Sequence, residues 1–226
     1  MAPAPALKLT LFDLDHTLLD GDSDVLWCQF LMDQGLLERS AFAARNADME
    51  RQYQAGTVSP ADFCAFYVST LAGCSREAWQ PHRRRFLDEV VAPRIPPAAH
   101  ALVQRHSDAG DLVVLTTATN RFITELTAAH LGIAHLIATE CEAEGEGFSG
   151  RPAGTLNMRE GKVARLHEWL QARRIELREC ESTAYSDSIN DLPLLSAVRR
   201  PVAVNPDPRL AAVAADRGWP VLSLRG

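Results

Sequence analysis

Apolar positions along the chain fall into two periods. Residues 7–12 form a short apolar run that stops at Asp13, the pattern of a strand covered on both faces. Residues 112–115, 183–185 and 202–204 repeat it, and 135–138 and 221–224 are fainter copies. Between these runs the period changes to that of a helix. Residues 120–131 read as one helix, closed by Gly132. Residues 162–174 read as another, with Val163, Leu166, Trp169 and Leu170 at helical spacing. Asp207 and Pro208 open a third with an N-cap and an N1 proline. Strands alternating with helices predict an α/β fold, a Rossmann-like parallel sheet flanked by helices. Residues 21–91 break the alternation, because they carry helix signals only. Ser59-Pro60 and Ser75 are caps there, and Val25, Cys28, Leu31 and Met32 form an apolar stripe. We therefore expect an α/β core of residues 1–20 and 92–226 with an inserted helical bundle at 21–91. The proline-rich residues 92–97 would be the return linker. Residues 140–159, rich in Gly and Glu, read as a loop or short hairpin over one edge.

Composition narrows the class without naming it. The chain has 226 residues, 46% of them hydrophobic and 23% charged, which excludes disordered, collagen-like and disulfide-scaffold chains. A net charge of −6 argues against a nucleic-acid partner, since phosphate-backbone binding needs clustered Lys and Arg. An anionic small molecule needs only a local positive site or a metal. Five cysteines without a CxxC spacing predict neither a zinc site nor paired disulfides, and suit a reducing cytoplasm. The N-terminus lacks the basic region of a signal peptide, and no apolar run is long enough to span a membrane. Oligomeric state is left open.

The chemistry-bearing residues sit at predicted strand ends, where open parallel sheets bind ligands. Asp13-Leu14-Asp15-His16-Thr17 follows the first strand. Two carboxylates so placed repel each other unless a cation or proton compensates. They read either as a nucleophile and an acid/base partner around Mg²⁺ or as loop aspartates capping the next element. His16 reads as a local structural residue. The second strand ends in Thr116-Thr117-Ala118-Thr119-Asn120, suited to a phosphate oxygen or to capping a helix. Gly161-Lys162 opens the next long helix, where Lys162 is either a point charge for a phosphoryl group or a solvated lysine. Asp187-Ser188-Ile189-Asn190-Asp191 follows another buried strand. Asp187 is a candidate ligand for a hard cation, and Asp191 a candidate to orient Lys162 or a water. The clusters 83–85, 173–174 and 199–200 read as solvated helix ends.

In this order, DxDxT, a strand-end Thr, Gly-Lys and D-x-x-N-D resemble the haloacid-dehalogenase-like (HAD) phosphatases. The helical insert stands where that superfamily carries its C1 cap. Within it the chain resembles subfamily IB, the phosphoserine-phosphatase-like group. The resemblance implies that Asp13 attacks phosphorus and becomes an aspartyl phosphate. It implies that Asp15 protonates the leaving alcohol and then deprotonates water. Mg²⁺ would be held by the Asp13 carboxylate, the Asp15 backbone carbonyl and Asp187. Thr117, the amide of Ala118, Lys162 and Asn190 would hold phosphate oxygens, with Asp191 in support. The second aspartate separates this pattern from the dehalogenases, which lack it.

The cap should read the leaving group. In phosphoserine phosphatases a glutamate nine residues after the nucleophile recognises the substrate amine; here that position is Asp22, followed by Ser23 and Asp24. Asp22 and Asp24 suit a cationic leaving group, or else cap the first helix of the insert. Neither Arg45 nor Arg51 matches the family's carboxylate-reading arginine. Phosphoserine and histidinol phosphate both stay as candidate substrates. A phosphotransferase or mutase and a catalytically silent binding domain are the alternative classes.

Overall fold

An unbroken apolar strand must be covered on both faces, because its side chains alternate across the sheet. The computed structural model describes residues 6–225, so the expectation that residues 1–5 open no signal peptide lies outside the described residues. Among the described residues the strands are β1 (Lys8–Phe12), β2 (Leu112–Asn120), β3 (His135–Glu144), β4 (Gly147–Ala153), β5 (Glu181–Ser186), β6 (Arg200–Val204) and β7 (Val221–Leu222). They form one sheet in the order β4-β3-β2-β1-β5-β6-β7. The central strand β1 is parallel to β2 and to β5, with Phe12 level with Leu115 and Tyr185. Only β4 runs antiparallel, as the second arm of a hairpin with β3. This is the hairpin reading of residues 140–159, although it is longer than expected.

Leu9 and Leu11 turn to one face. There they meet α7 (Glu160–Gln171), α8 (Leu192–Ala197) and α9 (Pro208–Arg217) through Leu166, Leu194 and Leu210. Phe12 turns to the other face, under α5 (Pro97–Asp108) and α6 (Arg121–His130), with Leu102 and Phe122. From β1 the chain winds outward through β2 and β3, then returns to the opposite side at β5. The strand order therefore reverses at β1, and the carboxyl ends of β1, β2 and β5 face a common crevice.

The insert consists of α1 (Ser23–Asp33), α2 (Arg39–Ala55), α3 (Pro60–Val68) and α4 (Arg76–Phe86). Its helix starts follow side-chain chemistry. The Asp22 carboxylate accepts from the amides of Asp24 and Val25, Ser59 accepts from Asp62, and Ser75 accepts from Ala78. The expected stripe on α1 is too narrow. Trp27 and Phe30 are buried beside it, because α1 is sandwiched between the sheet and α4. The Trp27 and Phe86 rings lie 5.1 Å apart. The β3–β4 hairpin forms a ledge against the insert. The Arg76 amide donates to the Glu146 carbonyl (2.9 Å), and a Cβ at Gly147 would stand 2.3 Å from the Cys74 carbonyl oxygen. Arg83 corrects one expectation. It is not solvated but buried, 3.1 Å from Glu125 and 4.3 Å above the Phe122 ring, so it pins α4 to α6. Among the described residues no helix is long and apolar enough to cross a membrane.

Candidate active site

The crevice beyond β1 gathers carboxylates from two strand ends around one ammonium group. Asp13 continues the β1 ladder, its amide donating to the Tyr185 carbonyl at 3.0 Å. Lys162 reaches it from the first turn of α7. Its Nζ donates to Asp13 Oδ1 at 2.7 Å and to Asp191 Oδ2 at 2.6 Å, with the lysine 2% exposed. Gly161 allows this approach, because a Cβ there would lie 1.9 Å from the Leu156 carbonyl oxygen. Ser186 Oγ donates to the same Asp191 oxygen at 2.7 Å.

Thr17 holds the other side of the crevice. Its hydroxyl lies 2.9 Å from Asp13 Oδ2 and 3.1 Å from Asp187 Oδ1, and accepts from the Asp187 amide at 3.0 Å. One hydroxyl proton serves only one of these carboxylates at a time. The charge balance shows in the acidities. Burial pushes Asp13 up to about 7, against the lowering influence of Lys162 and with help from Asp191 and Asp15. Burial, then Asp13 and Asp191, pushes Asp187 well above the usual carboxylate range. Burial alone would lower the Lys162 ammonium, but Asp13 and Asp191 more than offset it, so it stays charged.

Asp15 has a different environment. The Ser23 amide (2.7 Å) and hydroxyl (2.6 Å) donate to one oxygen, and Thr117 and Thr119 donate to the other at 3.1 Å each. Thr117 thus stands beside Asp15. The β2–β3 register shifts between Thr117 and Asn120, which takes Ala118 and Thr119 out of the regular ladder. Asn157, fully buried, fastens this irregular stretch. Its Nδ2 donates to the Thr116 hydroxyl and to the carbonyls of Thr117 and Ile137.

The insert supplies the roof. Asp22 is the N-cap of α1, as its alternative reading had it. Asp24 faces the site: the Thr119 hydroxyl, whose single proton serves either Asp15 or Asp24, lies 3.0 Å from its Oδ2, while its buried Oδ1 has no partner. Burial and then the Asp15 charge raise Asp22 from 3.8 to about 8. Burial and then Asp22 raise Asp24 well above the carboxylate range. Tyr53 of α2 stands over the crevice. Burial raises its phenol, and Asp191, Asp13 and Asp187 add to the shift. The Asn190 amide is spanned by two neighbours: Oδ1 accepts from Arg159 Nε at 3.2 Å, and Nδ2 donates to the Tyr53 carbonyl at 3.4 Å. His16 has a positive φ of 56° and lines a 340 Å³ cavity beside Asp187 and Tyr53.

The structure thus joins Asp13, Lys162, Asp187 and Asp191 in one hydrogen-bonded network through Thr17, and Asp15, Thr117 and Asp24 in a second one through Ser23 and Thr119. Sequence reasoning missed Ser23, Thr119, Asn157, Arg159 and Tyr53, and it gave Thr17 no role. Thr17, Ser23 and Thr119 carried a signal, since each lies in a stretch singled out for its neighbours.

Among the described residues no three His, Cys, Asp or Glu side chains form a ready metal cage. Mg²⁺ does not require one, since it is commonly bound through one or two carboxylates with water and substrate phosphate. Asp13 and Asp187, sharing one hydroxyl and crowded by Asp191, have the donor chemistry of such a site.

A family model described as haloacid dehalogenase-like hydrolase matches residues 10–196. The histidinol-phosphatase of Neisseria meningitidis serogroup C (strain 8013) is 40% identical over 220 residues, covering 96% of this chain and 99% of that one. A solved structure of a protein of unknown function from Bordetella pertussis Tohama I has a TM-score of 0.93 at 40% identity, covering 98% of this chain and all of that one. A phosphoserine phosphatase solved as a phospho-aspartyl intermediate analogue has a TM-score of 0.71 at 15% identity, covering 98% and 95% of the two chains, a likeness of fold.

The Asp22 shift sets a pH dependence. Between about pH 4 and pH 8 this carboxyl is protonated in the folded chain and ionised in the unfolded one. The unfolded state then holds fewer protons, so stability is lost as pH rises through that window. Asp22→Asn keeps an equally good cap and removes the titration. Its thermal midpoint is expected to exceed the wild-type value by a few degrees at pH 8, on the order of 1 kcal/mol, with the gap closing towards pH 4. A gap independent of pH would contradict the burial of this carboxyl.

Proposed function

The chain belongs to the haloacid dehalogenase-like hydrolases, and on that premise we propose that it is a Mg²⁺-dependent phosphatase of a small-metabolite phosphate monoester. The observation that carries this reading is the contrast between two carboxylates two residues apart. Asp13 is gripped by the Lys162 ammonium, and Asp15 is ringed by hydroxyls beside the roof. On this reading one attacks and the other exchanges a proton with the leaving group. The full set of Asp13, Asp15, Lys162 and Asp187 speaks against a silent binding domain.

An Asp13 carboxylate oxygen attacks phosphorus, and the bond from phosphorus to the leaving oxygen breaks. The departing alkoxide takes the proton of Asp15, a transfer of the kind that contributes about 10²–10⁴-fold. Asp15 then takes a proton from water as that water attacks the phosphorus of the aspartyl phosphate, which releases inorganic phosphate and restores Asp13. Lys162, Thr117, the Ala118 amide and Asn190 are the groups assigned to phosphate oxygens, with Asp191 holding Lys162 in place. The Asp13 and Asp187 carboxylates and the Asp15 carbonyl would hold Mg²⁺, which offsets the charge on nucleophile and phosphoryl group. Residues 21–91 act as a cap on a core of 1–20 and 92–226. Five free cysteines support placing the enzyme in a reducing cytoplasm.

The leaving group is read as cationic, and histidinol phosphate fits best. The relative of that name is similar along nearly its whole length. The roof holds buried acceptors without partners, Asp24 Oδ1 and Asn46 Oδ1, together with the unpartnered Tyr67 hydroxyl, which suits a donor-rich cation. Phosphoserine would also need a carboxylate reader. Arg45 instead lies 5.0 Å over the Phe66 ring, and Arg51 pairs with Asp48 on the outer surface.

Asp13→Asn is expected to lower Mg²⁺-dependent hydrolysis of p-nitrophenyl phosphate by about 10³ or more, on the order seen when a nucleophile is removed. Activity retained in that variant would sink the assignment. Asp24→Asn should lower kcat/KM for histidinol phosphate by roughly 10- to 150-fold, the weight of one charge-assisted contact. The same variant should leave p-nitrophenyl phosphate within about twofold, because that substrate has no cation to lose. An equal fall on both substrates would show that Asp24 shapes the site and reads nothing.

A further inference from the structure

The last carbonyls of an α-helix have no partner within the helix, and they carry the negative end of its dipole. At the end of α2 the amides of Thr57 and Gly56 meet the carbonyls of Gln52 and Tyr53, and further donors come from the core. Arg159 Nη2 donates to the carbonyls of Gly56 and Val58, each at 3.0 Å. Arg209 Nη1 donates to the Ala55 carbonyl at 3.1 Å, and Asn190 Nδ2 to that of Tyr53 at 3.4 Å. Arg159 Nε closes the circuit on Asn190 Oδ1 at 3.2 Å. One guanidinium thus spans two cap carbonyls and the amide that holds a third.

The backbone around this contact is unusual. Arg159 has φ 52° and ψ −125°, a conformation that suits glycine, yet the position carries the side chain that fills the seam. Strain of this kind persists only where the surrounding structure enforces it. Arg159 lies just ahead of Lys162 on the same turn into α7, and Asn190 directly precedes Asp191. Of the three core segments that grip this turn, two therefore carry the Lys162–Asp191 ion pair, and the third is the start of α9 with Arg209. Tyr53, on the gripped turn, has its phenol in the field of Asp191, Asp13 and Asp187.

We propose that Arg159 is the latch of the cap, a positioning residue that ties the end of α2 to Asn190 and so couples closure over the crevice to the placement of Lys162 and Asp191. The latch borrows from the phosphatase reading only its assay. A lysine cannot replace the fork, because a single ammonium does not present planar, spread donors to three acceptors.

The test compares wild type, Arg159→Ala and Arg159→Lys by amide hydrogen exchange and by steady-state kinetics on p-nitrophenyl phosphate with Mg²⁺. In both variants exchange over residues 52–59 should speed up about 10- to 100-fold, while β1 and β5 keep their wild-type protection. KM should rise and kcat/KM fall by a similar factor. Wild-type exchange at 52–59 in both variants would overturn the latch. Faster exchange there with unchanged kcat/KM would overturn the coupling to the site. Should Arg159→Ala lose protection throughout the sheet, Arg159→Lys decides the question, since it keeps the charge and the stem. If the wild-type protein itself hydrolyses nothing, the phosphatase reading fails, and the exchange comparison still decides whether Arg159 docks the cap.

Discussion

The site depends on a single buried ammonium. Lys162 sits between Asp13 and Asp191 at hydrogen-bond distance from both, out of contact with water. Burying charges is costly, and removing one member of such a set leaves the others uncompensated, a loss typically of about 3–5 kcal/mol. Much of the local structure serves this placement. Gly161 allows α7 to start against the Leu156 carbonyl, Ser186 donates to the Asp191 oxygen that Lys162 also holds, and Thr17 fixes the far oxygen of Asp13. Even so, the negative charge of Asp13, Asp187 and Asp191 exceeds what one lysine balances. That excess is what a hard cation would balance, and an anionic phosphoryl group would add to the need for one.

A second constraint is that the roof must stay attached to the wall. The apolar seam through Trp27, Phe86, Phe122 and Phe148 joins insert and sheet on the side of the β3–β4 hairpin. On the other side Arg159, Arg209 and Asn190 donate to backbone carbonyls at the end of α2 and in the turn after it, beside a second apolar cluster that includes Val58 and Phe63 of the insert and Ala118 and Met158 of the core. Asp24, Asn46 and Tyr67, on three helices of the insert, have buried oxygens without partners.

Most of the sheet and the central constellation could be read from the chain, for a physical reason. A buried parallel strand has to be a short apolar run, and carboxylates directly after such runs must lie at the ligand-binding edge of the sheet. Asp13, Asp15, Asp187 and Asp191 were therefore visible, and the Gly-Lys pair at a helix start singled out Lys162. The full length of β3 was not visible, because its second half pairs only with β4 and is largely solvent-facing. Asn157, Tyr53 and Arg159 were also hidden. Each acts through partners far away in sequence, and none lies in a local pattern that its role would require. Arg83 was misread because three consecutive arginines look solvated until α6 offers one of them a carboxylate and a ring. Asp22 shows that capping and membership of the roof are not exclusive: the carboxyl that starts α1 also lies beside Asp15 and Asp24.

The central claim is that the carboxylate at the end of β1, held by Lys162, takes the phosphoryl group. It is tested most directly by quenching the enzyme during turnover of a labelled phosphate monoester, reducing the acyl phosphate with borohydride, and mapping the modified residue by mass spectrometry. The account predicts that position 13 is found as homoserine, the reduction product of an aspartyl phosphate, with Asp15, Asp187 and Asp191 unmodified. Recovery of the modification at any of those three, or turnover with no reducible acyl phosphate in the quenched protein, would contradict it.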